Sequence, residues 1–173
     1  MSFCKKYEKV PELSNRIAEF YISKKQYNEA EKIYLKIIDS NINWPGIVSD
    51  YKSKLLMLYK TTGDIEKQKT IIKEFIFDRM DINLNFYREY KSLFDKTEWK
   101  KELDSILNCA KFSTQVEDIL FEEQMIEELF QYIYKTHNKR NSASYSTIYS
   151  LDKYGKYFEP SHSVELIQMY SEC

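Results

Sequence analysis

Two stretches of the chain share the same residue spacing at an offset of 38 residues. The matched positions, in order, are Ala18, Tyr21, Ala30 and Tyr34 in the first stretch and Leu56, Tyr59, Gln68 and Ile72 in the second. This spacing is typical of a helix, a tight turn and a second helix. Self-similarity at a period of roughly 20–50 residues indicates a repeat array, in which each hairpin buries its apolar face against its neighbours.

Turn signals mark the second stretch. Pro45 suits the first turn of a helix, because its missing N–H needs no partner there. Gly63 can adopt the left-handed conformation that ends a helix, and Asp64 can cap the next one. Further helix boundaries are predicted at Thr97 as a cap, near Glu123 within a helix pair from about Thr114 to His137, and across the polar loop His137–Ser142. In the last pair the first helix ends at Gly155, and Glu159-Pro160-Ser161 opens the second. The sequence therefore predicts an all-α fold, a right-handed array of about five helical hairpins that forms one domain over residues 1–173.

Composition excludes several other classes of protein. Three glycines and three prolines leave little turn chemistry for a many-stranded sheet, and 43% hydrophobic residues make the chain too apolar for disorder. The 26 basic and 27 acidic residues are well mixed, with a net charge of −1. Such a balance gives no field that would hold nucleic acid or an anionic membrane. No apolar run reaches the roughly 18 residues of a membrane span, so no membrane contact is expected.

The sequence offers no set of residues for catalysis or metal binding. Cys4, Cys109 and Cys173 are far apart, and His137 and His162 have no closely spaced partner, whereas structural zinc needs four converging ligands. Cys109 has no local signature of a nucleophile, and isolated glycines exclude a phosphate loop. We therefore expect a non-enzymatic protein without cofactor or metal. Free thiols and the absence of a signal peptide predict a cytoplasmic location.

The first stretch resembles a tetratricopeptide repeat through Ala18, Tyr21, Ala30 and Tyr34. The sequence departs from that family at Ser14, where the repeat usually has tryptophan, and at Gln68, where it has a packing alanine. The offset also exceeds the usual period of about 34 residues. The resemblance implies a tetratricopeptide-like α-solenoid. Generic amphipathic helices are the alternative explanation of the pattern.

A second resemblance extends from about Leu13 to Tyr170. Its motifs are Trp44-Pro45-Gly46-Ile47-Val48, then Leu58-Tyr59-x3-Gly63-Asp64-x2-Lys67, then Tyr87-x3-Lys91-x2-Phe94-x4-Trp99. Together they are similar to the helical region downstream of the zinc finger in bacterial SWIM zinc-finger proteins. The resemblance implies a fragment or a short relative of such a protein. The finger itself needs a CxC pair followed by C-x-H, which this chain lacks.

A scaffold that binds a protein or peptide, including another region of a longer parent chain, is the leading functional hypothesis. In a repeat array the first helices of the hairpins line the inner groove. By analogy with tetratricopeptide geometry, the groove residues of the first two hairpins are Asn15, Glu19, Ile22, Ser53, Met57 and Lys60. The rival hypothesis is an accessory module of a nucleic-acid-associated zinc-finger protein, although direct nucleic-acid binding by this chain is not expected.

An acidic run is the other candidate surface. Glu117, Asp118, Glu122, Glu123, Glu127 and Glu128 are close in sequence, and no basic residue lies between Lys111 and Lys135. We expect Glu122, Glu123 and Glu127 to be solvent-exposed and to contact a basic partner. A solvated helix face that only aids solubility is the alternative.

Overall fold

The computed structural model describes residues 11–77, 82–109, 115–139 and 145–171. Within these ranges the regular secondary structure is entirely helical, which confirms the predicted all-α class. The helices are α1 (Pro11–Ser23), α2 (Tyr27–Ser40), α3 (Pro45–Thr62), α4 (Ile65–Ile76), α5 (Leu84–Lys91), α6 (Lys96–Cys109), α7 (Val116–Glu122), α8 (Ile126–Lys139) and α9 (Tyr145–Ser171).

The chain divides into two compact units. The first comprises Met1–Phe77 and Asn85–Asp95, and the second comprises Asp78–Leu84 and Lys96–Cys173. In the first unit α1 packs against α2, α2 against α3 and α3 against α4, and in the second α8 packs against both α7 and α9. The prediction of a single cooperative domain over residues 1–173 stays a prediction.

The predicted boundaries of the second hairpin are confirmed. Pro45 occupies the first turn of α3, and the residue before it, Trp44, is largely exposed. Gly63 ends α3 with a φ of 73°, and the Asp64 side chain accepts a hydrogen bond from the backbone N–H of Lys67 at the start of α4. Ala18 and Ala30 are fully buried, which allows the close approach of α1 and α2 that their small size predicts.

One turn geometry recurs in three of the described hairpins. Its left-handed residue is Lys25, Gly63 or Gln124, with φ values of 57°, 73° and 60°. The next backbone N–H then donates to the carbonyl five residues back, in the pairs Gln26–Tyr21 at 2.9 Å, Asp64–Tyr59 at 3.0 Å and Met125–Leu120 at 2.9 Å. This is the Schellman pattern of helix ends. The hairpin α7–α8 therefore contains a third copy of this turn, which the 38-residue offset does not reveal.

Buried positions after each turn also correspond. The first is Ala30, Gln68 or Leu129, and the second, one helical turn later, is Tyr34, Ile72 or Ile133; all six are buried. The buried Gln68 side chain donates a hydrogen bond from Nε2 to the carbonyl oxygen of Tyr59 at 3.1 Å. Tyr59 is buried, whereas its counterpart Tyr21 is only partly buried.

Two predicted boundaries are wrong. α6 begins at Lys96, so Thr97 lies inside its first turn rather than before it. α8 continues to Lys139, so His137 to Lys139 are helical and not part of a loop. No glycine or proline stands between Ile133 and Lys139, and polarity alone does not end a helix. Thr114 and the remainder of the predicted loop lie outside the described residues.

The last hairpin turns at His162 instead of Gly155. His162 has non-helical angles, with φ −132° and ψ 30°, whereas Gly155 lies inside the first half of α9. A Cβ at the buried Gly155 would be 3.3 Å from the Tyr170 hydroxyl. A straight helix would separate the two residues by about 22 Å, so the chain reverses at His162. The absence of a side chain at Gly155 therefore allows the two halves of α9 to approach each other closely.

Candidate functional site

Two adjoining depressions follow α1 and α3 in the first unit. The smaller, of about 300 Å³, has mostly apolar walls built from Ile22, Tyr34, Met57, Leu58 and Thr61, together with Ser53. The larger, of about 570 Å³, is more polar and is lined by Glu12, Asn15, Arg16, Glu19, Gly46, Ile47 and Tyr51. Asp50 and Lys54 line both depressions and connect them into one groove.

Helical periodicity places these side chains on one face of each helix. Along α1 the lining residues Glu12, Asn15, Glu19 and Ile22 are three or four positions apart. Ile47, Asp50, Lys54, Met57 and Thr61 follow the same spacing along α3. Ala18 on α1 and Leu55 on α3 are fully buried and line neither depression.

Five of the six groove residues predicted from the sequence line these depressions: Asn15, Glu19, Ile22, Ser53 and Met57. Lys60 lines neither of the two. Its ammonium lies 2.6 Å from the Glu89 carboxylate of α5, so it makes an ion pair within the first unit. Lys60 thus lies outside these two depressions, and its placement in a binding groove stays a prediction.

Lys54 connects α1 and α3 across the floor of the groove. Its Nζ lies 3.1 Å from Asp50 Oδ2, 3.1 Å from Asn15 Oδ1 and 4.6 Å from the centre of the Tyr51 ring. Asn15 in turn donates from Nδ2 to Glu19 Oε1 at 2.7 Å. The groove thus already holds one ammonium group by a carboxylate, an amide oxygen and an aromatic face.

Tyr34 of α2 also lines the groove. Only 3% of the residue is exposed, its ring lies 5.7 Å from that of Tyr51, and it lines the smaller depression. Burial, followed by the negative charges of Glu19 and Asp50, raises the pKa of the Tyr34 hydroxyl, which therefore stays neutral at physiological pH. Among the described residues nothing makes a hydrogen bond with this hydroxyl.

Glu12, Asp50, Tyr34 and Tyr51 are groove residues that sequence reasoning missed. A seven-residue interval from Glu12 to Glu19 follows the same helix face and is a usable signal. Asp50 precedes Lys54 by one turn, which is also readable. No pattern in the sequence marks Tyr34 as a groove residue. It lies on α2, the second helix of its hairpin, and lines the groove together with residues of α1 and α3.

The acidic strip, which is the predicted partner surface of Glu122, Glu123 and Glu127, is largely engaged in contacts within the second unit. Glu123 is half-buried and accepts a hydrogen bond from Trp99 Nε1 at 3.2 Å, so its expected full exposure is wrong. Glu127 is exposed, but its carboxylate lies 2.8 Å from His162 Nε2 and 3.1 Å from the donating Gln131 Nε2. Glu122 is exposed as expected.

The first two carboxylates of the acidic run fasten α7 to α9. Ser150 Oγ donates to Glu117 at 2.6 Å, and burial raises the pKa of the Glu117 carboxyl. Asp118 accepts from the Tyr154 hydroxyl at 2.7 Å and from Lys153 at 2.6 Å. Burial and the hydrogen bond to Asp118 raise the pKa of Tyr154 to about 12. These contacts stabilise the packing of helices rather than presenting charge to a partner.

Residues 11–77, 82–109, 115–139 and 145–171 contain no group of three or more His, Cys, Asp or Glu side chains that could hold a metal ion. Cys109 is exposed at the end of α6, while Cys4 and Cys173 lie outside the described residues. No helix in the described part of the chain is both long and apolar enough to cross a membrane.

Comparisons of the chain with protein-family models, with curated proteins and with solved structures found no match. The fold and the groove define an α-helical protein with an open, mixed polar and apolar surface that is lined mainly by α1 and α3. Its function is therefore inferred from its own residues.

Proposed function

We propose that this protein is a non-enzymatic, tetratricopeptide-like helical-repeat scaffold that binds a protein or peptide segment in the groove along α1 and α3. The partner is another protein or another region of a longer parent chain. Met57 carries the proposal, because 64% of this large apolar side chain is exposed beside the apolar depression. Burying such a side chain under a partner contributes about 1.5–3 kcal/mol.

The repeat arrangement is supported by the packing of consecutive helices and by the recurring turn. α1 to α4 pack in chain order, and the hairpins α1–α2 and α3–α4 end their first helices with the same hydrogen bond. In a repeat array such first helices form the concave face on which partners bind. The right-handed course and the count of about five hairpins belong to this proposal.

The chemistry of the groove suits a peptide. Methionine is flexible and polarizable, so Met57 can adapt to apolar side chains of different shape. The adjoining polar depression supplies carboxylates, an amide and phenol rings for orientation. Apolar anchoring beside a few polar groups is the usual composition of a binding site.

Capture from a lysate of the native cell, with identification by mass spectrometry, tests the proposal when it compares groove variants. We expect Met57→Glu to lose a partner that the parent protein retains, because the new carboxylate would be buried without a counter-charge. Ile42→Glu is the matched control, since Ile42 is equally large and 74% exposed in the loop before α3. Partners that are captured alike by both variants would overturn the proposal.

Binding of a synthetic DNA duplex tests the rival hypothesis of a module in a nucleic-acid-associated zinc-finger protein. Three carboxylates, Glu12, Glu19 and Asp50, line the groove beside two cations, so we expect no duplex binding there. Binding that falls steeply with rising salt and is lost in Lys54→Glu would favour the nucleic-acid role instead.

A further inference from the structure

We propose that the occupant of the groove presents a lysine or arginine side chain next to an apolar one, with the cation between Glu19, Asp50 and Tyr34 and the apolar side chain against Met57. This inference rests on the proposed function and names the chemical class of the bound peptide. The smaller and larger depressions adjoin at Asp50, so neighbouring side chains of one segment can enter both.

The first argument is that the groove wall already binds an ammonium group. Lys54 is held by Asp50, Asn15 and the face of Tyr51 at the distances given above. Tyr34, in the smaller depression, and Glu19, in the larger one, offer the same two kinds of group, an aromatic phenol and a carboxylate. A second cation therefore meets the chemistry that holds the first.

The second argument is the Tyr34 hydroxyl. Tyr34 is more than nine-tenths buried, lines the depression and has no hydrogen-bond partner within the described part of the chain. A neutral phenol oxygen accepts a hydrogen bond from an N–H donor and can donate to a carboxylate. Asp50 lines the same depression as Tyr34, and Glu19 lines the adjoining one, so their charges would attract a cation toward this hydroxyl and repel an anion.

The third argument is the balance of charge in the larger depression. Glu12, Glu19 and Asp50 line it together with Lys54 and Arg16, and Lys54 is already paired with Asp50. Arg16 makes no ion pair with any described residue. Three carboxylates against two cations leave the lining with a net charge of −1, which a basic peptide compensates and an acidic one increases.

Isothermal titration calorimetry of the whole chain with short synthetic peptides tests the inference. The probes are acetylated, amidated Gly/Ser peptides with one leucine and one lysine at varied spacing, and matched peptides with arginine, norleucine or glutamate in place of lysine. We expect the lysine and arginine peptides to bind at least about tenfold more tightly than the glutamate peptides. Their advantage should decrease as salt rises.

Variants locate the cation. We expect the double variant Glu19→Gln/Asp50→Asn to weaken the lysine peptides about tenfold and to leave the norleucine peptides unchanged. Tyr34→Phe keeps the buried ring and should weaken the lysine peptides about threefold or more. Glu29→Gln is the control, because Glu29 pairs with Lys32 on the exposed surface of α2 and is not a groove residue.

The outcomes separate this inference from the proposed function. The basic occupant would be overturned if lysine and glutamate peptides bound equally well, or if no peptide bound. It would also be overturned if the double variant bound the lysine peptides as tightly as the parent protein does. The scaffold proposal would then still stand if Met57→Glu loses a native partner that Ile42→Glu retains. Loss of that difference would overturn the scaffold as well.

Discussion

The carboxylates of the two units have different roles. In the first unit Glu12, Glu19 and Asp50 line an open groove. In the second unit Asp118 and Glu123 accept hydrogen bonds from Tyr154 and Trp99, whose rings are buried. The denser acidic run in the sequence is thus the one used for internal packing. Charge density along a chain does not by itself indicate a surface that is open to a partner.

The largest difference is expected between two aspartates. Asp118→Ala should lower the free energy of unfolding by about 2–3 kcal/mol, because it leaves the buried Tyr154 hydroxyl without its acceptor. Asp50→Ala should change it by no more than about 0.5 kcal/mol, since its pairing with Lys54 is exposed. Urea unfolding of both variants measures the difference. Equal losses would contradict the contrast between the units.

Glu123 sharpens the same comparison inside the acidic run. Glu123→Ala should cost about 1 kcal/mol, because the indole N–H of the buried Trp99 loses its acceptor. Glu128→Ala, a change at an exposed carboxylate on α8, should stay within about 0.5 kcal/mol. Chemical denaturation checks the pair. If both variants unfold like the parent, Glu123 belongs to a solvated face after all.

Glu117 makes the comparison dependent on pH. Burial raises its pKa, so folding favours the protonated carboxyl and the charged form lowers stability at pH 7. Glu117→Gln keeps an oxygen for Ser150 and should therefore raise the melting temperature at pH 7. The gain should disappear as pH falls through the raised pKa, where the parent carboxyl becomes neutral too. Thermal melts over a pH series test this, and a gain that is independent of pH would refute it.

The smallest effect concerns Glu127. Its contacts with His162 and Gln131 lower its pKa, so the stability they contribute is present above the ordinary glutamate pKa and is lost as pH falls through the lowered value. His162→Phe should keep the stack on Phe130, whose ring centre lies 3.7 Å from that of His162. The carboxyl carbon of Glu127, followed by NMR, should then titrate at a higher pH than in the parent. An unchanged titration would show that His162 does not act on Glu127.

The part of the fold that depends on local chemistry could be predicted from the sequence. Pro45, Gly63 and Asp64 have side chains or backbone freedom that mark a helix end, and each lies where the pattern indicates. The third Schellman turn was invisible because Gln124, not glycine, adopts the left-handed conformation. Its interval from the second turn also departs from 38 residues, so no offset search reveals it.

The groove was predictable only as a face of single helices. Periodicity places Asn15, Glu19 and Ile22 on one side of α1, and the structure agrees. The ion pair of Lys60 could not be predicted in this way, because its partner Glu89 is distant in sequence. The contact of the acidic strip with a basic partner stays a prediction, although Glu123 and Glu127 have partners within the protein.

The placement of the two tryptophans gives each unit its own optical signal. Trp44 is 66% exposed in the first unit, whereas Trp99 is 7% exposed in the second. Intrinsic fluorescence of Trp44→Phe would report only the environment of Trp99, and that of Trp99→Phe only that of Trp44. Coincident transitions of the two emitters in denaturant would mean one cooperative protein, and separate transitions would mean two.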